Sequence, residues 1–289
     1  MAGTDVLAAA TSPVGIICGG GSLPFAVADA IQERGRPVVL FAIQNTADPI
    51  RTAGYRHHWV ALGQFGRLCR LAQKEGCREI VFIGTVVRPA IKSVRLDWAT
   101  VRLLPRIYAL YRGGDDHLLT GIGRIFEERG FKLHGAHELA PEILMPEGLL
   151  GTIEPSEQDH ADIARGLAAL AAIGPFDVGQ AVVVARNHVI AIEAAEGTDQ
   201  MLERVAQMRR EGRLGSPEGV GVLVKAPKPG QDRRFDLPSI GPKTVEGVAR
   251  AGLAGLAVIA GATVVADPDV IAKAADRQKL FVLGLRETP

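Results

Sequence analysis

Three short apolar runs in the first half of the chain, each followed by a more polar stretch, constrain the fold most strongly. The runs are VGIICGG (14–20), PVVLFAI (37–43) and REIVFIG (78–84). Strands that are apolar throughout are typical of parallel sheets covered by helices on both faces, joined by right-handed crossovers. The first half is therefore predicted to be a Rossmann-like α/β domain. Its helices are predicted near 23–34, 65–75, 98–112 and 117–129, with KLHGAHE (132–138) as a last short strand.

A proline-rich stretch, residues 140–159, separates this half from a second α/β pattern. QAVVVAR (180–186) and HVIAIEA (188–194) are joined too tightly for a crossover, so they predict a β-hairpin and a mixed sheet. The other predicted elements are helices near 160–174, 199–211 and 243–251 and strands near 219–227, 255–260, 262–266 and 280–285. The expected organisation is a flexible extension (1–13), an N-terminal Rossmann-like domain (14–145) and a C-terminal catalytic α/β domain (146–289).

The composition favours an enzyme that acts on a small molecule. The 33 basic and 32 acidic residues leave a net charge of +1, so no general field attracts nucleic acid, and aromatic residues at 5% do not suggest base-stacking surfaces. The longest apolar tract, 251–266, is interrupted by glycine and does not resemble a membrane span. The N-terminus lacks the basic segment of a secretory signal. Cys18, Cys69 and Cys77 show no disulfide spacing and indicate buried thiols in the cytoplasm.

The segment CGGGSLP (18–24) ends the first predicted strand and opens the first helix. Glycines allow the backbone to approach a ligand closely, and the N–H groups at a helix start favour an anion. The spacing fits neither GxGxxG nor the Walker loop. Two interpretations stay open: a tight turn, or a phosphate or nucleotide site formed by Gly19, Gly20, Gly21 and Ser22.

GTVVRP (84–89) follows the third predicted strand. Ligands of open parallel sheets bind beyond the carboxyl ends of the strands. The Thr85 hydroxyl and the forked Arg88 cation suit a phosphate or carboxylate there. The alternative for Arg88 is a surface or helix-capping role.

Two further motifs of the first half have simple structural explanations. In GGDD, the glycines are expected to end one helix and Asp115 or Asp116 to cap the next, with a ligand-facing turn as the alternative. In GAHE, His137 and Glu138 would point to opposite faces of a strand, which disfavours a shared metal ion. A structural histidine is therefore expected.

The segment IEAAEGTD (192–199) places three carboxylates, those of Glu193, Glu196 and Asp199, around one strand end. Thr198 is suited to cap the following helix, and acids near its first turn suit the helix dipole. Three acids at one strand end are also suited to Mg²⁺, which prefers carboxylates, waters and substrate phosphates. Both interpretations stay open.

KAPKPGQDRRFDLPSIGP (225–242) is the most unusual stretch, because long structured loops are commonly functional. It carries four cations and two acids: Lys225, Lys228, Arg233, Arg234, Asp232 and Asp236. Cations for phosphate oxygens and an acid for a metal or water are what phosphoryl hydrolysis requires. With the anion-binding glycines, the loop indicates a metal-assisted enzyme for a phosphorylated or nucleotide substrate, bound between the domains.

These motifs, in this order, resemble those of the LpxI-type UDP-2,3-diacylglucosamine pyrophosphatases of Gram-negative lipid A biosynthesis. The resemblance runs from about Val14 to Leu285, and the EGTD turn and the KAPKP…DLP…IG loop are its most specific parts. It implies Mg²⁺-dependent cleavage of UDP-2,3-diacylglucosamine to UMP and 2,3-diacylglucosamine 1-phosphate (lipid X). The family motif commonly reads GNVxRP, and Thr85 replaces the asparagine, so that side-chain amide is absent.

The resemblance also assigns roles to residues of this chain. Asp236 would be the key acid and a Mg²⁺ ligand, with Glu193 and Glu196 as further metal candidates. Asp199 and Lys225 would take part in catalysis. The substrate would be bound by Gly19, Gly20, Gly21, Ser22, Thr85, Arg88, Thr198 and Lys228.

The expected partner is a glycolipid nucleotide whose acyl chains belong in a bilayer, so transient peripheral contact with the inner membrane is expected. A homodimer is expected from the apolar C-terminal half and from the family. Two other functions remain alternatives: a nucleotide-dependent oxidoreductase and a non-catalytic nucleotide-sugar binding module. The incorrect glycine spacing and the lack of an acid after the second strand oppose the oxidoreductase.

Overall fold

The computed structural model describes residues 12–86, 95–111, 115–176, 178–215, 217–228, 232–235, 237–265 and 267–286, without the side chains of residues 111 and 115–118. These residues form two compact units. Unit 1 contains the chain up to Glu142 together with residues 232–235, and unit 2 contains the remainder from Ile143 onward. Nothing in the sequence indicated that residues 232–235 would pack with the first half.

Unit 1 is built on a parallel five-stranded sheet with the strand order β3-β2-β1-β4-β5. The strand order reverses between β1 and β4, the position at which open α/β sheets bind ligands. The predicted Rossmann-like parallel domain is confirmed. Its elements are β1 (Val14–Cys18), α1 (Leu23–Glu33), β2 (Val38–Ile43), α2 (Pro49–Thr52), β3 (His57–Val60), α3 (Phe65–Lys74), β4 (Glu79–Ile83), α4 (Trp98–Tyr111), α5 (Asp115–Glu127), β5 (Lys132–His134) and α6 (Ala136–Leu139).

The core of unit 1 explains why its strands are apolar. Every residue of β1 and β2 is buried. One face of the sheet packs against an aromatic cluster that consists of Phe65, Phe82, Phe126, Phe131 and Phe235. The ring of Phe126 makes edge contacts with Phe65 and Phe82, at centroid distances of 4.8 and 5.2 Å. Edge-to-face pairs of this kind add to the stabilisation from burial alone.

The three cysteines are buried, as the sequence analysis expected. Burial raises the pKa of the Cys18 and Cys69 thiols to about 11 and that of Cys77 to about 12. The thiols are therefore protonated at neutral pH, and the thiol form is a poor nucleophile and metal ligand.

Beyond the carboxyl ends of β1 and β4, two loops pair through their backbones. The Gly20 N–H donates to the Thr85 carbonyl (2.7 Å), and the Thr85 N–H donates to the Gly20 carbonyl (3.0 Å). The loops approach so closely that a Cβ on Gly19 would lie 2.7 Å from the Gly84 carbonyl carbon. Gly19 is therefore required by this loop contact, whatever else the glycines do.

Unit 2 is built on a mixed six-stranded sheet with the order β6-β13-β11-β9-β7-β8, accompanied by a β10–β12 pair. β9, β11 and β13 are parallel to one another, whereas β7 is antiparallel to β8 and to β9. The predicted mixed sheet and hairpin are confirmed. The elements are β6 (Gly148–Leu149), α7 (Glu157–Ile173), β7 (Ala181–Ala185), β8 (His188–Ile192), α8 (Gly197–Arg210), β9 (Val222–Lys225), β10 (Ser239–Ile240), α9 (Pro242–Arg250), β11 (Gly255–Ile259), β12 (Val264–Val265), α10 (Pro268–Gln278) and β13 (Phe281–Leu285).

The turn of the β7–β8 hairpin is held by a buried carboxylate. Arg186 and Asn187 both have positive φ, 50° and 62°, as a type I′ turn requires. Their N–H groups donate to Asp162 of α7, at 3.0 and 2.6 Å. Because Asp162 is fully buried, the turn is fixed from inside the unit.

Several elements differ from the sequence predictions. The predicted strand over KLHGAHE stops at His134; Gly135 precedes the short helix α6, which contains the remaining residues of GAHE. The strand β3 and the helices α2 and α10 were missed. Asp267 at the start of α10 accepts a hydrogen bond from the Val270 N–H, and Pro268 follows it, so a readable helix-start signal was present there. No helix within the described ranges is long and apolar enough to cross a membrane.

Replacing Gly19 with alanine should destabilise unit 1, because the added Cβ meets the Gly84 backbone at 2.7 Å. Backbone atoms cannot rotate away, so we expect the free energy of unfolding to fall by about 1–3 kcal/mol. Urea titration followed by circular dichroism measures it.

Gly54→Ala is the matched control, since its Cβ would have ordinary contact with the Arg51 carbonyl at 3.4 Å. It should change stability by less than about 0.5 kcal/mol. Equal stability of the two variants would contradict the role assigned to the loop contact.

Candidate active site

Three of the sequence-predicted residues meet at the carboxyl edge of the unit 2 sheet. Glu193 follows the last residue of β8, Lys225 is the last residue of β9, and Thr198 lies in the first turn of α8. β8 and β9 run in the same direction, because each is antiparallel to β7. Ligands of α/β sheets bind beyond such carboxyl ends.

These residues form a hydrogen-bonded chain, here named the Lys225 cluster (Glu193, Thr198 and Lys225). The Lys225 Nζ donates to the Thr198 Oγ1 and to the Ser239 carbonyl, both at 3.0 Å. The Thr198 hydroxyl in turn donates to Glu193 Oε1 (2.8 Å). The Gln180 N–H donates to Glu193 Oε2 (2.9 Å). Both carboxylate oxygens of Glu193 therefore have protein partners.

The buried position of the Lys225 cluster makes its charge energetically costly. Lys225 is only 7% exposed, and Thr198 and Glu193 are partly buried. A buried ammonium is costly unless it is paired and hydrogen-bonded. The cluster meets that requirement by placing a hydroxyl and a carbonyl on Lys225, with the Glu193 carboxylate one hydrogen bond further away. It thereby holds the end of β9, the start of α8 and the start of β10 together.

The two other acids of the EGTD turn lie apart from this chain of hydrogen bonds. Glu196 Oε1 accepts a hydrogen bond from Arg204 (2.8 Å). Asp199 is exposed in the first turn of α8, where a carboxylate suits the helix dipole. Thr198 does not cap the helix with its side chain; instead, its hydroxyl belongs to the Lys225 cluster.

A metal cage was predicted from Asp236, Glu193 and Glu196. Each Glu193 oxygen already accepts one hydrogen bond, from Gln180 or from Thr198, and Glu196 pairs with Arg204. Asp236 lies outside the described residues. Among the residues that the structure describes, no group of three acidic, histidine or cysteine side chains is arranged to hold a metal ion. The described donors therefore do not make a complete Mg²⁺ site on their own.

In unit 1, the predicted glycine site lies at the strand-order reversal between β1 and β4. The Gly20 backbone is bonded to Thr85, while Gly21 and Ser22 are exposed at the start of α1. The Ser22 side chain makes no capping hydrogen bond. Thr85 is exposed, and Arg88 lies outside the described residues.

Lys228 is partly buried in the loop after β9. Asp115 is the first residue of α5, so a helix begins close to GGDD, but the side chains of Asp115 and Asp116 lie outside what is described and their capping role stays a prediction. The ligand-facing alternative for GGDD therefore stays a prediction.

GAHE contributes the exposed Glu138 to a partly buried polar network in unit 1. Glu138 on α6 accepts hydrogen bonds from His134 Nδ1 (2.9 Å) and from the Gly135 N–H (3.3 Å). His134 Nε2 lies 3.1 Å from Glu79, which also pairs with Arg36. Burial would raise the pKa of Glu79, but the hydrogen bonds and charges of Arg36 and His134 hold it below its usual range. The prediction that His137 and Glu138 occupy opposite faces of a strand is wrong, because both lie on α6.

His137 is the one group of this motif that is left with an unmet polar atom. Its Nδ1 is buried and, among the described residues, has no hydrogen-bond partner. Burial lowers the pKa of His137; the Glu138 charge opposes that change, and Arg233 adds to it. The expectation of a structural histidine stays a prediction.

A cavity of about 360 Å³ in unit 2 lies at the opposite edge of the sheet. It is bounded by residues that precede or begin β9, β11 and β13, among them Gly219, Ala254 and Phe281. The described site residues do not line it. The cavity is therefore separate from the Lys225 cluster.

Sequence reasoning missed the backbone groups that complete the Lys225 cluster. The Ser239 carbonyl and the Gln180 N–H contribute a hydrogen bond each, but their residue types carry no signal for it. Ser239 begins β10, a two-residue strand with no apolar period. Only the packing of the sheet brings these groups to Lys225 and Glu193.

Comparison with known proteins identifies the family to which the motifs of this chain belong. The LpxI N-terminal domain matches residues 13–143, and the LpxI C-terminal domain matches residues 146–283. The chain belongs to the LpxI family. It is 40% identical over 272 residues to the UDP-2,3-diacylglucosamine pyrophosphatase LpxI of Caulobacter vibrioides. The aligned region covers 94% of this chain and 97% of that protein. The resemblance seen in the LpxI motifs is confirmed, and the Lys225 cluster lies in the LpxI C-terminal domain.

Replacing Thr198 with valine removes the hydroxyl of the Lys225 cluster and nearly preserves the shape of the side chain. Lys225 then loses an acceptor and Glu193 loses a donor. Leaving partly buried polar groups unsatisfied should lower the free energy of unfolding by about 1–3 kcal/mol. Urea titration measures the loss.

Thr263→Val is the matched control in unit 2. Thr263 is fully buried, and its hydroxyl has no hydrogen-bond partner among the described residues. Removing that hydroxyl should leave stability unchanged or raise it slightly. Equal losses in both variants would show that the Thr198 hydroxyl is not specially required.

Proposed function

We propose that this chain hydrolyses the pyrophosphate bond of UDP-2,3-diacylglucosamine, giving UMP and 2,3-diacylglucosamine 1-phosphate. The observation that carries the proposal is the 40% identity to a UDP-2,3-diacylglucosamine pyrophosphatase across nearly the full length of both chains. The KAPKP…DLP…IG loop and the EGTD turn are retained in this sequence.

The carboxyl edge of unit 2 has the chemistry that a diphosphate needs. The Lys225 ammonium is fixed beside the Thr198 hydroxyl, and α8 begins at the same place with its N–H groups unpaired by the helix itself. A preorganised cation and a helix N-terminus stabilise negative charge that develops on phosphoryl oxygens. In the reaction, the water oxygen bonds to one phosphorus and the bridging P–O bond breaks, its electron pair staying on the oxygen of the departing phosphate. One proton of the water is released and the other stays on a product phosphate until that group ionises.

We also propose that the activity depends on Mg²⁺. Mg²⁺ is commonly held by one or two carboxylates together with substrate phosphates and waters, so a cage built wholly from protein is not required. Asp236, the acid assigned by the family resemblance, would supply the carboxylate. When bound, the metal would neutralise the diphosphate and polarise its oxygens.

The geometry argues against a dinucleotide-dependent oxidoreductase. A dinucleotide fold turns the glycine backbone toward the pyrophosphate, but the Gly20 N–H is already bonded to Thr85. After β2, Gln44 and Asn45 stand where an acid would bind the ribose. Asp48, the next acid, caps α2 through the Ile50 and Arg51 N–H groups.

The direct test is incubation of the purified chain with UDP-2,3-diacylglucosamine in detergent micelles. With MgCl₂ we expect UMP and the 1-phosphate in equal amounts, detected by liquid chromatography and mass spectrometry. EDTA should abolish the reaction and excess MgCl₂ should restore it. In water labelled with ¹⁸O, the labelled product identifies the phosphorus that is attacked. UMP release unaffected by EDTA would contradict the metal dependence.

Asp236→Asn tests the assigned acid within the same assay. We expect turnover to fall by about 100-fold or more, as when a group that stabilises the transition state is lost. Asp269→Asn, at an exposed acid in the first turn of α10, is the control and should keep normal turnover. Normal hydrolysis by Asp236→Asn would refute the assignment, and substrate binding without hydrolysis by the unaltered chain would favour the binding-module alternative.

We further propose that the enzyme contacts the inner membrane through α4. Trp98 and Tyr108 are 71% and 67% exposed, and Val101 and Leu104 are exposed on the same side of the helix. Arg102 and Arg106 lie beside this apolar face; Arg106 is paired with Glu128, and the helix itself carries no acidic residue. An apolar face with aromatic residues and flanking arginines fits a bilayer with anionic headgroups, where the acyl chains of the proposed substrate also lie.

Flotation with liposomes tests this contact. The chain should bind liposomes containing phosphatidylglycerol more strongly than pure phosphatidylcholine, and Trp98→Ser with Tyr108→Ser should weaken binding by about tenfold or more. Phe176→Ser is the control, because Phe176 is 78% exposed in unit 2.

Light scattering separates the competing explanation, a homodimer. If the α4 substitutions convert a dimer to a monomer while liposome binding is unchanged, the face is a contact between copies and the membrane assignment is wrong. The same measurement on the unaltered chain tests the expected homodimer.

A further inference from the structure

The cavity of unit 2 has no part in the proposed reaction, because it lies at the edge of the sheet opposite the Lys225 cluster. Its volume of about 360 Å³ falls within the range of small-molecule sites, roughly 300–1,000 Å³. The larger apolar residues that line it are Ile153, Leu253, Leu280 and Phe281. The residues that bound it belong to unit 2. The cavity can therefore be considered as a binding site of this unit alone.

The charged residues that line the cavity are mainly acidic. Three are acids, Glu154, Asp159 and Glu218, and Lys279 is the single base. Arg209 interacts with the Glu218 charge but does not line the cavity. Its guanidinium donates instead to backbone carbonyls, at distances between 2.6 and 3.2 Å. The lining therefore has an excess of negative charge, which attracts a cation.

Asp159 is the buried member of this acidic group, with only 8% of the residue exposed. Its Oδ2 accepts hydrogen bonds from the Ser156 N–H (2.9 Å) and from the Ser156 hydroxyl (2.6 Å), which caps α7. Its Oδ1 has no hydrogen-bond partner among the residues that the structure describes. A buried carboxylate oxygen without a donor is costly. Because Asp159 lines the cavity, a ligand that carries a donor can remove that cost.

Two helices also end beside the cavity. Ala249 lies in the last turn of α9, and Gln278 is the last residue of α10. The carboxyl end of a helix carries a partial negative charge that favours a cation. The amino end of α7 lies at the same place, but Glu157 and Asp159 in its first turn already compensate its positive end. The helix ends therefore add to the negative potential of the acidic side chains.

We propose that this cavity binds an aliphatic amine. An ammonium group has three donors, of which one would meet the Asp159 Oδ1 while the hydrocarbon chain contacts the apolar lining. A metal ion fits less well, because no group of three acidic, histidine or cysteine side chains in the described ranges is arranged to hold one. A cavity of this volume also exceeds what a single ion fills. The inference is independent of the proposed function.

Isothermal titration calorimetry with putrescine, a short diamine, tests the proposal, and butanediol serves as the uncharged probe of the same length. We expect saturable binding of putrescine, and binding of butanediol that is weaker by about tenfold or more. Asp159→Asn should weaken putrescine binding by about tenfold, because a buried charge-assisted hydrogen bond is lost. The control is Glu157→Gln, at an exposed acid of the same turn that does not line the cavity. It makes the same change in net charge and should keep binding within about twofold of normal.

A second comparison uses exposed residues and leaves the cap of α7 intact. Glu154→Gln with Glu218→Gln removes two acids of the lining, whereas Glu157→Gln with Glu246→Gln removes two exposed acids elsewhere in unit 2. The first pair should weaken putrescine binding about three- to tenfold relative to the second. Lys279→Gln should have the opposite effect and tighten binding about two- to threefold, because it removes a like charge.

The proposal is overturned if putrescine shows no saturable binding, or if butanediol binds equally well. It is also overturned if Asp159→Asn matches Glu157→Gln, since putrescine would then be held only by the general charge of the surface. If Asp159→Asn does not fold, the paired exposed variants and the sign of the Lys279→Gln effect decide the question. Hydrolysis is not measured in any of these experiments, so their failure leaves the proposed function standing.

Discussion

The candidate site depends on the hydrogen bonds that surround the buried Lys225 ammonium. A cation with so little exposure must be surrounded by acceptors, since an unpaired buried charge costs several kcal/mol. Thr198 and the Ser239 carbonyl supply them, and Glu193 completes the chain of hydrogen bonds. One charge at the end of β9 therefore connects the first turn of α8 and the start of β10 to that strand. The chemistry proposed for this edge needs the same fixed positive charge.

The candidate ligand-binding edge of unit 1 is formed under a different constraint. There the constraint is steric: the loops after β1 and β4 are bonded backbone to backbone, and the glycines are what permits it. A glycine-rich loop after the first strand is usually associated with nucleotide binding. Here part of its composition is explained by contact between two loops. Gly21 and Ser22, which are exposed, are the residues that stay accessible to a ligand.

The parts of the fold that could be predicted are those encoded by local pattern. β1, β2 and β4 are apolar throughout, and the tight β7–β8 connection marks a hairpin, so these elements are readable. β3, with the sequence HHWV, has a half-exposed and partly polar pattern that resembles a loop. The helix α6 is a single turn, too short to show a period.

In the candidate site too, some features could be predicted from the sequence and others could not. The sequence placed Glu193, Thr198 and Lys225 at strand ends, and the carboxyl-edge rule indicated that such ends lie together. It could not show that both Glu193 oxygens would be occupied by protein donors, because one donor is a backbone N–H. Nor could it show that Phe235 would pack on α5. That contact joins residues more than a hundred positions apart and depends on a glycine, which has no side chain to signal it.

The buried Asp162 has a consequence at the far end of the β7–β8 hairpin. By holding Arg186 and Asn187 in their turn, it determines which residues of β7 and β8 stand opposite each other. A slip of one residue would rotate every β8 side chain to the other face of the sheet. Glu193, which continues that strand, would then point away from Thr198. The Asp162 carboxylate, by fixing the turn, therefore also fixes the direction of the Glu193 carboxylate at the other end of the hairpin. Evolutionary change at the turn is limited by the need to orient Glu193, which the turn does not contact.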